Sequence, residues 1–487
     1  MAKRKRSPKR PQPRHKETRQ ASQFDKRGRL GTPNAERRKT CQAKVPLVGS
    51  LARIVASMAC VLDKRIAFRL SIIMAGMMLA DDRRVAAAWF AVAGVRDDWD
   101  RFYDCLISIG RCSRSVAACL LREVVRRFDP GPDGHLTLGA DDSPTKRFGK
   151  HVEGAGVHHH PTPGPADGEW LYGHNWVCLC LLALHPSWGV VALPLLSMLY
   201  VRAVDIPSLA AKYGWTFRTK HELVVDLVTW FVKHVRALGF RFSIWLVVDG
   251  AYAARNVIRP LMSQGIVVFS RLRRDAVLFD LPGPPTGKRG RPRIYGENRI
   301  HLAKRAAHRH GWQSITYRCR GKEVTRQYKT FLATSRLVSG VIRVVLVRFE
   351  DGSWATYFCT DAQIETREIL ETVAARWAVE EQFHDVKEIW GAGQQQVRNV
   401  WSNIACWNLN QWMYTLVEIC SWNNSNEHLA DRSDRPWDNP DRRPSHADKR
   451  RVISREMLEN RFFAALPNIP QFAEIQRVIT DVIRLCA

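Results

Sequence analysis

Three acidic residues lie where a catalytic site would need them. Asp142 and Asp249 each end an apolar segment with the composition of a buried strand, residues 135–142 and 242–249. Open α/β sheets form their sites at such strand ends. The third acid, Glu380, lies in a segment with helical periodicity. Three carboxylates from separated segments are the ligands that a pair of Mg²⁺ ions requires, because hard cations prefer oxygen.

The segment around Glu380 places further charged groups on one side of the predicted helix. At about 100° per residue, four side chains fall within about 40° of one line, namely Arg376, Glu380, His384 and Lys387. Two Mg²⁺ ions about 3.5–4 Å apart can activate a water and stabilise the leaving oxygen in phosphodiester cleavage. Arg376 and Lys387 are then expected to hold a neighbouring phosphate.

Each of these residues also has an ordinary structural explanation. A strand-terminal aspartate is often a helix N-cap or a turn former. When Asp142 and Asp249 are each considered alone, either a structural or a catalytic role is therefore possible. Arg376, Glu380 and His384, at i, i+4 spacing, would equally form a surface salt-bridge ladder. The three acids together, in this order and on these elements, favour the catalytic interpretation.

The pattern of the three acids resembles that of a known family. Their order on alternating strands and helices is similar to that of the DDE transposases of bacterial insertion sequences. One group of that superfamily carries its last acid in a Tyr-x2-Arg-x3-Glu-x6-Lys signature. Arg376, Glu380 and Lys387 match this signature, whereas Val373 stands at the tyrosine position.

The same resemblance bears on the first acid and on the fold. The first acid of this group typically precedes Thr or Ser, as Asp142 precedes Ser143, which favours Asp142 and leaves Asp141 as the alternative. A β-rich insertion typically separates the second acid from the glutamate, similar to residues 271–360 here. The resemblance implies an α/β fold with an RNase H-like mixed-sheet core, this insertion, a helical N-terminal domain and a helical C-terminal region.

The resemblance also implies an activity and its partners. Such enzymes use two Mg²⁺ ions, for which Mn²⁺ can substitute, to nick the ends of an element and to join the freed 3′-hydroxyl to target DNA. The implied partners are double-stranded DNA and a second copy of the chain on the paired ends. Members with this signature can form hairpin ends and stack a flipped base on an aromatic of the insertion. Trp312 and Trp354 are candidates for that role, although core positions are favoured for both.

Two other functions stay open at this point. One is a catalytically inactive DNA-binding regulator of the same element, and the other is a different RNase H-like nuclease. The presence of all three acids argues against the inactive regulator. A nuclease would cleave DNA without joining it.

The charge of the chain agrees with a polyanionic partner. The 487 residues include 75 Lys and Arg against 47 Asp and Glu, for a net charge of +28. This surplus is typical of nucleic-acid binding, because each neutralised phosphate releases condensed counterions. Residues 1–45 hold 16 of the basic residues and 3 acids with few apolar residues, which predicts a disordered basic arm.

A second basic segment lies within the predicted insertion. Four of its side chains are predicted to contact DNA, namely Lys288, Arg289, Arg291 and Arg293. Their run resembles a minor-groove AT-hook, in which Arg and Lys enter a narrow A·T groove. A solvated basic loop is the alternative.

Changes in composition divide the chain into six predicted regions. They are the basic arm at 1–45, a helical DNA-binding domain at 46–130, the first part of the RNase H-like core at 131–270, a basic loop and β-rich insertion at 271–360, the last core helix with Glu380 at 361–400, and a helical C-terminal region at 401–487. A run of Pro, Gly and Asp at 129–134 separates the helical domain from the core.

Residues 175–201 form an uncharged run long enough to span a membrane. A His-Pro-Ser-Trp-Gly turn in its middle instead predicts two buried strands. No apolar region follows the basic start of the chain, so no signal peptide is expected. No membrane partner is therefore expected, and the resemblance to bacterial transposases implies a prokaryotic cytoplasmic protein associated with the nucleoid.

Cysteines and histidines carry weaker signals. Cys105, Cys112 and Cys119 recur every seven residues in a helical segment, which predicts thiols on one helix face. His151 and residues 158–160 are assigned to a loop, because three consecutive histidines cannot all reach one metal ion from regular structure.

Overall fold

The structure is a computed structural model, which describes residues 44–160, 163, 168–284, 293–430, 432, 437–439, 441–464, 475, 477–480 and 482–483. The predicted basic arm lies outside these residues, apart from its last two. Lys288, Arg289 and Arg291 of the predicted minor-groove segment also lie outside them.

Among the described residues, five helices precede the first strand, in the region where apolar periodicity predicted helices. They are α1 (Gly49–Ala59), α2 (Lys64–Leu79), α3 (Ala86–Val92), α4 (Trp99–Arg111) and α5 (Ser113–Arg127). The prediction of three cysteines on one helix face was wrong. The helix ends at Arg111 and a new one begins at Ser113, so Cys112 lies at the junction between two helices.

The core is a mixed sheet with helices packed against it. Its elements, in chain order, are β1 (His135–Lys146), β2 (Gly156–His159), β3 (Trp170–His185), β4 (Gly189–Tyr200), α6 (Ile206–Tyr213), α7 (Lys220–Ala237), β5 (Ser243–Val248), α8 (Arg255–Met262) and β6 (Ile266–Leu272). A capping box of Thr219 and Glu222 starts α7. The uncharged run proved to be the two predicted strands, within β3 and β4.

The strand order defines the fold. The five long strands lie in the order β4-β3-β1-β5-β6, and β2 pairs with the start of β3. β1, β5 and β6 are parallel, while β3 is antiparallel to both β1 and β4. This confirms the predicted α/β fold with an RNase H-like mixed sheet. His158 and His159 lie in β2 on alternate faces, rather than in the predicted loop.

The β-rich insertion continues the same sheet. Its elements are β7 (Leu278–Phe279), β8 (Arg299–Ile300), α9 (Leu302–Ala307), β9 (Gln313–Cys319), β10 (Lys322–Ser335), β11 (Gly340–Arg348) and β12 (Trp354–Cys359). β12 pairs with β6, and the order continues β12-β11-β10-β7-β8, with β9 on the first half of β10. One 12-stranded sheet therefore spans the core and the insertion.

The helices that follow the insertion within the described residues include α10 (Thr366–Ala375), α11 (Trp377–Glu388), α12 (Val400–Ser421), α13 (Asn426–Leu429) and α14 (His446–Phe463). The long α12 is buried on nearly all sides, as expected for a helix with apolar residues all round. It meets β4, where Asn408 bonds to both backbone groups of Ser197. On another side it meets α4, where a Cβ on Gly110 would lie 1.9 Å from the carbonyl oxygen of Trp401.

Among the described residues, no helix combines the length and the apolar character needed to cross a bilayer.

Candidate active site

The first acidic pair lies within a strand rather than at its end. β1 was expected to stop at Asp142, but it continues to Lys146 because its last residues keep pairing with β3. Asp141 and Asp142 are therefore consecutive residues of one strand. Successive side chains of a strand point to opposite faces of the sheet. Only one of the two aspartates can thus face a given helix.

Asp141 faces the helix that carries the third acid. Arg376 Nη1 donates to Asp141 Oδ2 at 2.8 Å, and its Nη2 donates to Glu380 Oε1 at 2.7 Å. Arg376 therefore bridges two acids that are far apart along the chain. The predicted single helix is divided at Arg376, where α10 ends and α11 begins. His384 is exposed and contacts Asp385 instead of these acids.

The second acid, Asp249, follows β5 directly, as predicted. In the parallel pairing of β1 with β5, Ala140 lies beside Val248, so Asp141 and Asp249 are the next residues on the two neighbouring strands. Burial raises the pKa of Asp141 from 3.8 to about 7; the Arg376 charge opposes this rise, and the Asp142 and Asp249 charges add to it. The carboxylate of Asp141 is therefore held in a site that disfavours its charge.

Asp142 has a different set of partners on the other face. Lys220 Nζ, at the start of α7, donates to Asp142 Oδ2 at 2.6 Å, and Tyr252 Oη donates to Oδ1 at 2.6 Å. Burial and the charge of Asp142 raise the pKa of the Tyr252 hydroxyl well above its usual range. Asp142 and Glu380 line the same groove, but Asp142 bonds to Lys220 and Tyr252, whereas Asp141 is the aspartate that shares Arg376 with Glu380.

A glycine allows α11 to approach the strand closely. A Cβ on Gly139 would lie 2.7 Å from Cγ2 of Val379, the residue before Glu380. Gly139 is two residues before Asp141, so both face α11. The absence of a side chain at this position therefore sets the distance between β1 and the helix that carries Glu380.

We expect Gly139→Ala to destabilise the fold by about 1–3 kcal/mol, because the added methyl group overpacks a close contact. It should also lower any nicking activity, since α11 must shift away from Asp141. Denaturant unfolding and a plasmid-nicking assay measure the two effects. Gly340→Ala in β11 is the matched control, because nothing lies within 4 Å of a Cβ there. Equal effects of the two substitutions would contradict this account.

A groove of about 1380 Å³ contains the two aspartates of β1 and Glu380, and Asp249 is not among the residues that line it. Asp141 and Glu380 line it together with Lys387, whose pKa is lowered by burial. Arg443 and Phe148 line it as well, and the Phe148 side chain is 89% exposed. The groove therefore combines carboxylates with cations and an accessible aromatic ring, which suits a phosphate-rich substrate.

The basic residues that were predicted to contact DNA lie in different parts of the structure. Lys387 lines the groove, and Arg376 bonds to two of the acids that line it. Arg293 is exposed on the insertion and forms an ion pair with Glu297. Within the part of the chain that the structure describes, no three His, Cys, Asp or Glu side chains form a group that could hold a metal ion. The guanidinium of Arg376 stands between Asp141 and Glu380 instead.

The strand order and the acids beside Arg376 define an RNase H-like α/β protein with a carboxylate site at the sheet. A family model described as DDE superfamily endonuclease matches residues 58–330, which is more than half of the chain and includes Asp141 and Asp249. The chain belongs to this family.

No curated protein matches the chain. Among solved structures, it is similar to the cryo-EM structure of the piggyBac transposase synaptic complex with hairpin DNA. The sequence identity is 11% and the TM-score is 0.33, over 90% of this chain and 78% of that chain.

Proposed function

We propose that this DDE superfamily endonuclease is a DNA transposase that cleaves the ends of an insertion sequence and transfers the cut strand into target DNA. Asp141, Asp249 and Glu380 are the proposed catalytic carboxylates, with Asp141 in place of Asp142. The observation that carries the proposal is the bridge from Arg376 to both Asp141 and Glu380, beside the residue that follows β5.

The three carboxylates are ligands of the type that divalent metal ions prefer, and in this proposal a bound metal ion takes the place of the Arg376 guanidinium between Asp141 and Glu380. Three carboxylates supply hard oxygen ligands, and burial together with the Asp249 charge disfavours the charge on Asp141, so a cation there would relieve the repulsion. Two Mg²⁺ ions, or Mn²⁺ in their place, would be held by Asp141, Asp249 and Glu380. When bound, they would activate a water and stabilise the leaving oxygen.

The protein's own cations orient the substrate in this proposal. Arg376 offers a planar guanidinium that can bind a phosphate in two places, and it already lies between two of the acids. Lys387 lines the same groove and adds a point charge. These two side chains hold the phosphate next to the cleaved bond.

Asp142 acts as a positioning residue. Through Tyr252 it is tied to the turn that begins at Asp249, since Tyr252 donates to Asp142 and its backbone N–H bonds to the carbonyl oxygen of Asp249. Lys220 balances the charge of Asp142. In this proposal Asp142 therefore holds the second acid in place through Tyr252.

The proposed partners are double-stranded DNA, as element ends and target, and a second copy of the chain that pairs the two ends. A prokaryotic cytoplasm, in association with the nucleoid, is the proposed location. The match of Arg376, Glu380 and Lys387 to the Tyr-Arg-Glu-Lys signature supports assignment to that group of transposases, with Val373 as its departure.

The decisive experiment uses supercoiled plasmid that carries the DNA flanking the coding region on both sides. We expect nicking in Mg²⁺ or Mn²⁺, none in EDTA, and joined products when target DNA is added. Nicking without joining would favour a different RNase H-like nuclease. Binding to the end sequences without any nicking would favour an inactive regulator.

A further inference from the structure

A strongly basic surface lies on the insertion. Residues 299–310 hold four Lys or Arg, three His and no Asp or Glu. Lys304, Arg305 and Arg309, in α9 and just after it, are exposed, and we refer to these three as the α9 basic face. Among the described residues, no carboxylate forms an ion pair with any of them. Elsewhere in the insertion, Arg293 and Arg326 do form ion pairs.

The backbone of α9 is held by two half-buried cations of the sheet. Lys329 Nζ donates to the carbonyl oxygens of Arg305, at 2.9 Å, and of His308, at 2.7 Å. Arg348 Nη2 donates to the carbonyl oxygen of Ala306 at 3.0 Å. Cations at a helix C-terminus satisfy its free carbonyl groups. α9 is thus fixed to the sheet mainly by Lys329 and Arg348, which are not part of the α9 basic face.

Three cations, Lys329, Arg348 and Arg305, lie against aromatic rings of the insertion. Lys329 Nζ and Arg348 Cζ lie 4.6 and 4.1 Å from the centroid of the Trp312 ring, and Arg305 Cζ lies 4.0 Å from that of Phe331. Burial lowers the pKa of Lys329, and the charges of Arg348 and Arg305 lower it further. Like charges therefore repel one another here. Trp312, a sequence candidate for base stacking, is engaged by two cations.

We propose that the α9 basic face binds the phosphate backbone of duplex DNA at a site separate from the carboxylate groove. These cations have no paired carboxylate and lie on a helix that is fixed to the sheet. A polyanion stabilises such a group and releases its own counterions when it binds. None of the three side chains lines the groove, so this contact holds DNA away from the cleaved bond. The choice of DNA as the polyanion rests on the proposed function.

The test measures binding of a 30-base-pair duplex of arbitrary sequence to the full-length chain in EDTA, over a range of salt concentrations. The variant is Lys304→Gln/Arg305→Gln/Arg309→Gln. We expect the slope of log K against log salt to become shallower by about 3, at about 0.9 per phosphate contact. Affinity at 0.1 M salt should fall by about 10²- to 10³-fold.

Two comparisons isolate the effect of the α9 basic face. Lys233→Gln/Arg241→Gln/Arg273→Gln removes three exposed cations elsewhere, and its slope should stay near that of the original protein. Lys304→Arg/Arg305→Lys/Arg309→Lys keeps the charge and should also keep the slope. A slope that changes equally in the first variant and in the Lys233 control would overturn the proposal, as would no change in the first variant.

This binding measurement contains no metal ion and no cleavage step. Failure of the plasmid-nicking experiment would contradict the proposed catalysis and leave the salt slopes unaffected. An unchanged slope would contradict the α9 site while nicking persists. The two proposals therefore fail separately.

Discussion

Replacing Asp141 with asparagine is expected to abolish DNA nicking, by about 10³-fold or more, while DNA binding persists. This is the scale of loss when a group that acts at the reacting centre is removed. The protein should stay folded, because burial and nearby acids already disfavour the charge that the substitution removes. Its stability should equal or exceed that of the original chain, as is common where a site is strained for function.

The neighbouring residue supplies the matched control. Asp142→Asn keeps an oxygen acceptor for Tyr252 and loses the charge that pairs with Lys220, so we expect a smaller loss of about 10- to 100-fold, typical of groups that orient metal ligands. Asp142→Leu, which also removes the hydrogen-bond acceptor, should lower DNA nicking more than Asp142→Asn does. An active Asp141→Asn protein beside an inactive Asp142→Asn protein would falsify the assignment and restore Asp142 as the metal ligand.

Breaking a buried ion pair between α12 and α14 should produce the largest loss of stability. Glu418, 2% exposed, accepts from Lys449 Nζ at 2.6 Å and from His446 Nδ1 at 2.7 Å. Trp390 Nε1 donates to His446 Nε2 at 2.8 Å, so the His446 proton lies on Nδ1. Burial alone would raise the pKa of Glu418, but the Lys449 charge and the His446 hydrogen bond lower it to about 2.

We expect Lys449→Met to lower the free energy of unfolding by about 3–5 kcal/mol, because it leaves Glu418 charged, buried and without its main partner. Chemical denaturation measures the loss. The double variant Glu418→Gln/Lys449→Met should recover much of it, since both charges are then removed together. If the loss of unfolding free energy in the double variant equals the sum of the losses in the two single variants, the two residues are not coupled.

The same pair predicts how stability depends on pH. The pKa of Glu418 is lower in the folded protein than its ordinary value of 4.5, so its contribution is complete above about pH 5 and is lost as pH falls toward 2. The difference in stability between the original protein and Glu418→Gln should therefore shrink over this range. A difference that stays constant from pH 7 to pH 3 would contradict the assigned direction.

Local patterns of the sequence predicted the elements that carry the site. The apolar segment before Asp249 forms β5, and the uncharged run at 175–201 forms two strands because its central turn residues interrupt it. The helical periodicity around Glu380 was also sufficient to predict a helix, although the structure divides it at Arg376. Each of these features depends on neighbours within a few residues, which a sequence displays directly.

By itself, then, the sequence determined the order of strands and helices, the excess of positive charge and the segments that supply the acids. The tertiary structure alone shows which of Asp141 and Asp142 pairs with Arg376 beside Glu380. The two are adjacent in a strand and point to opposite faces, and the choice depends on which face α11 covers, with Arg376 reaching Asp141 across 235 residues of chain. The pairing of Glu418 with Lys449 depends in the same way on the packing of two separate helices, which local sequence patterns do not encode.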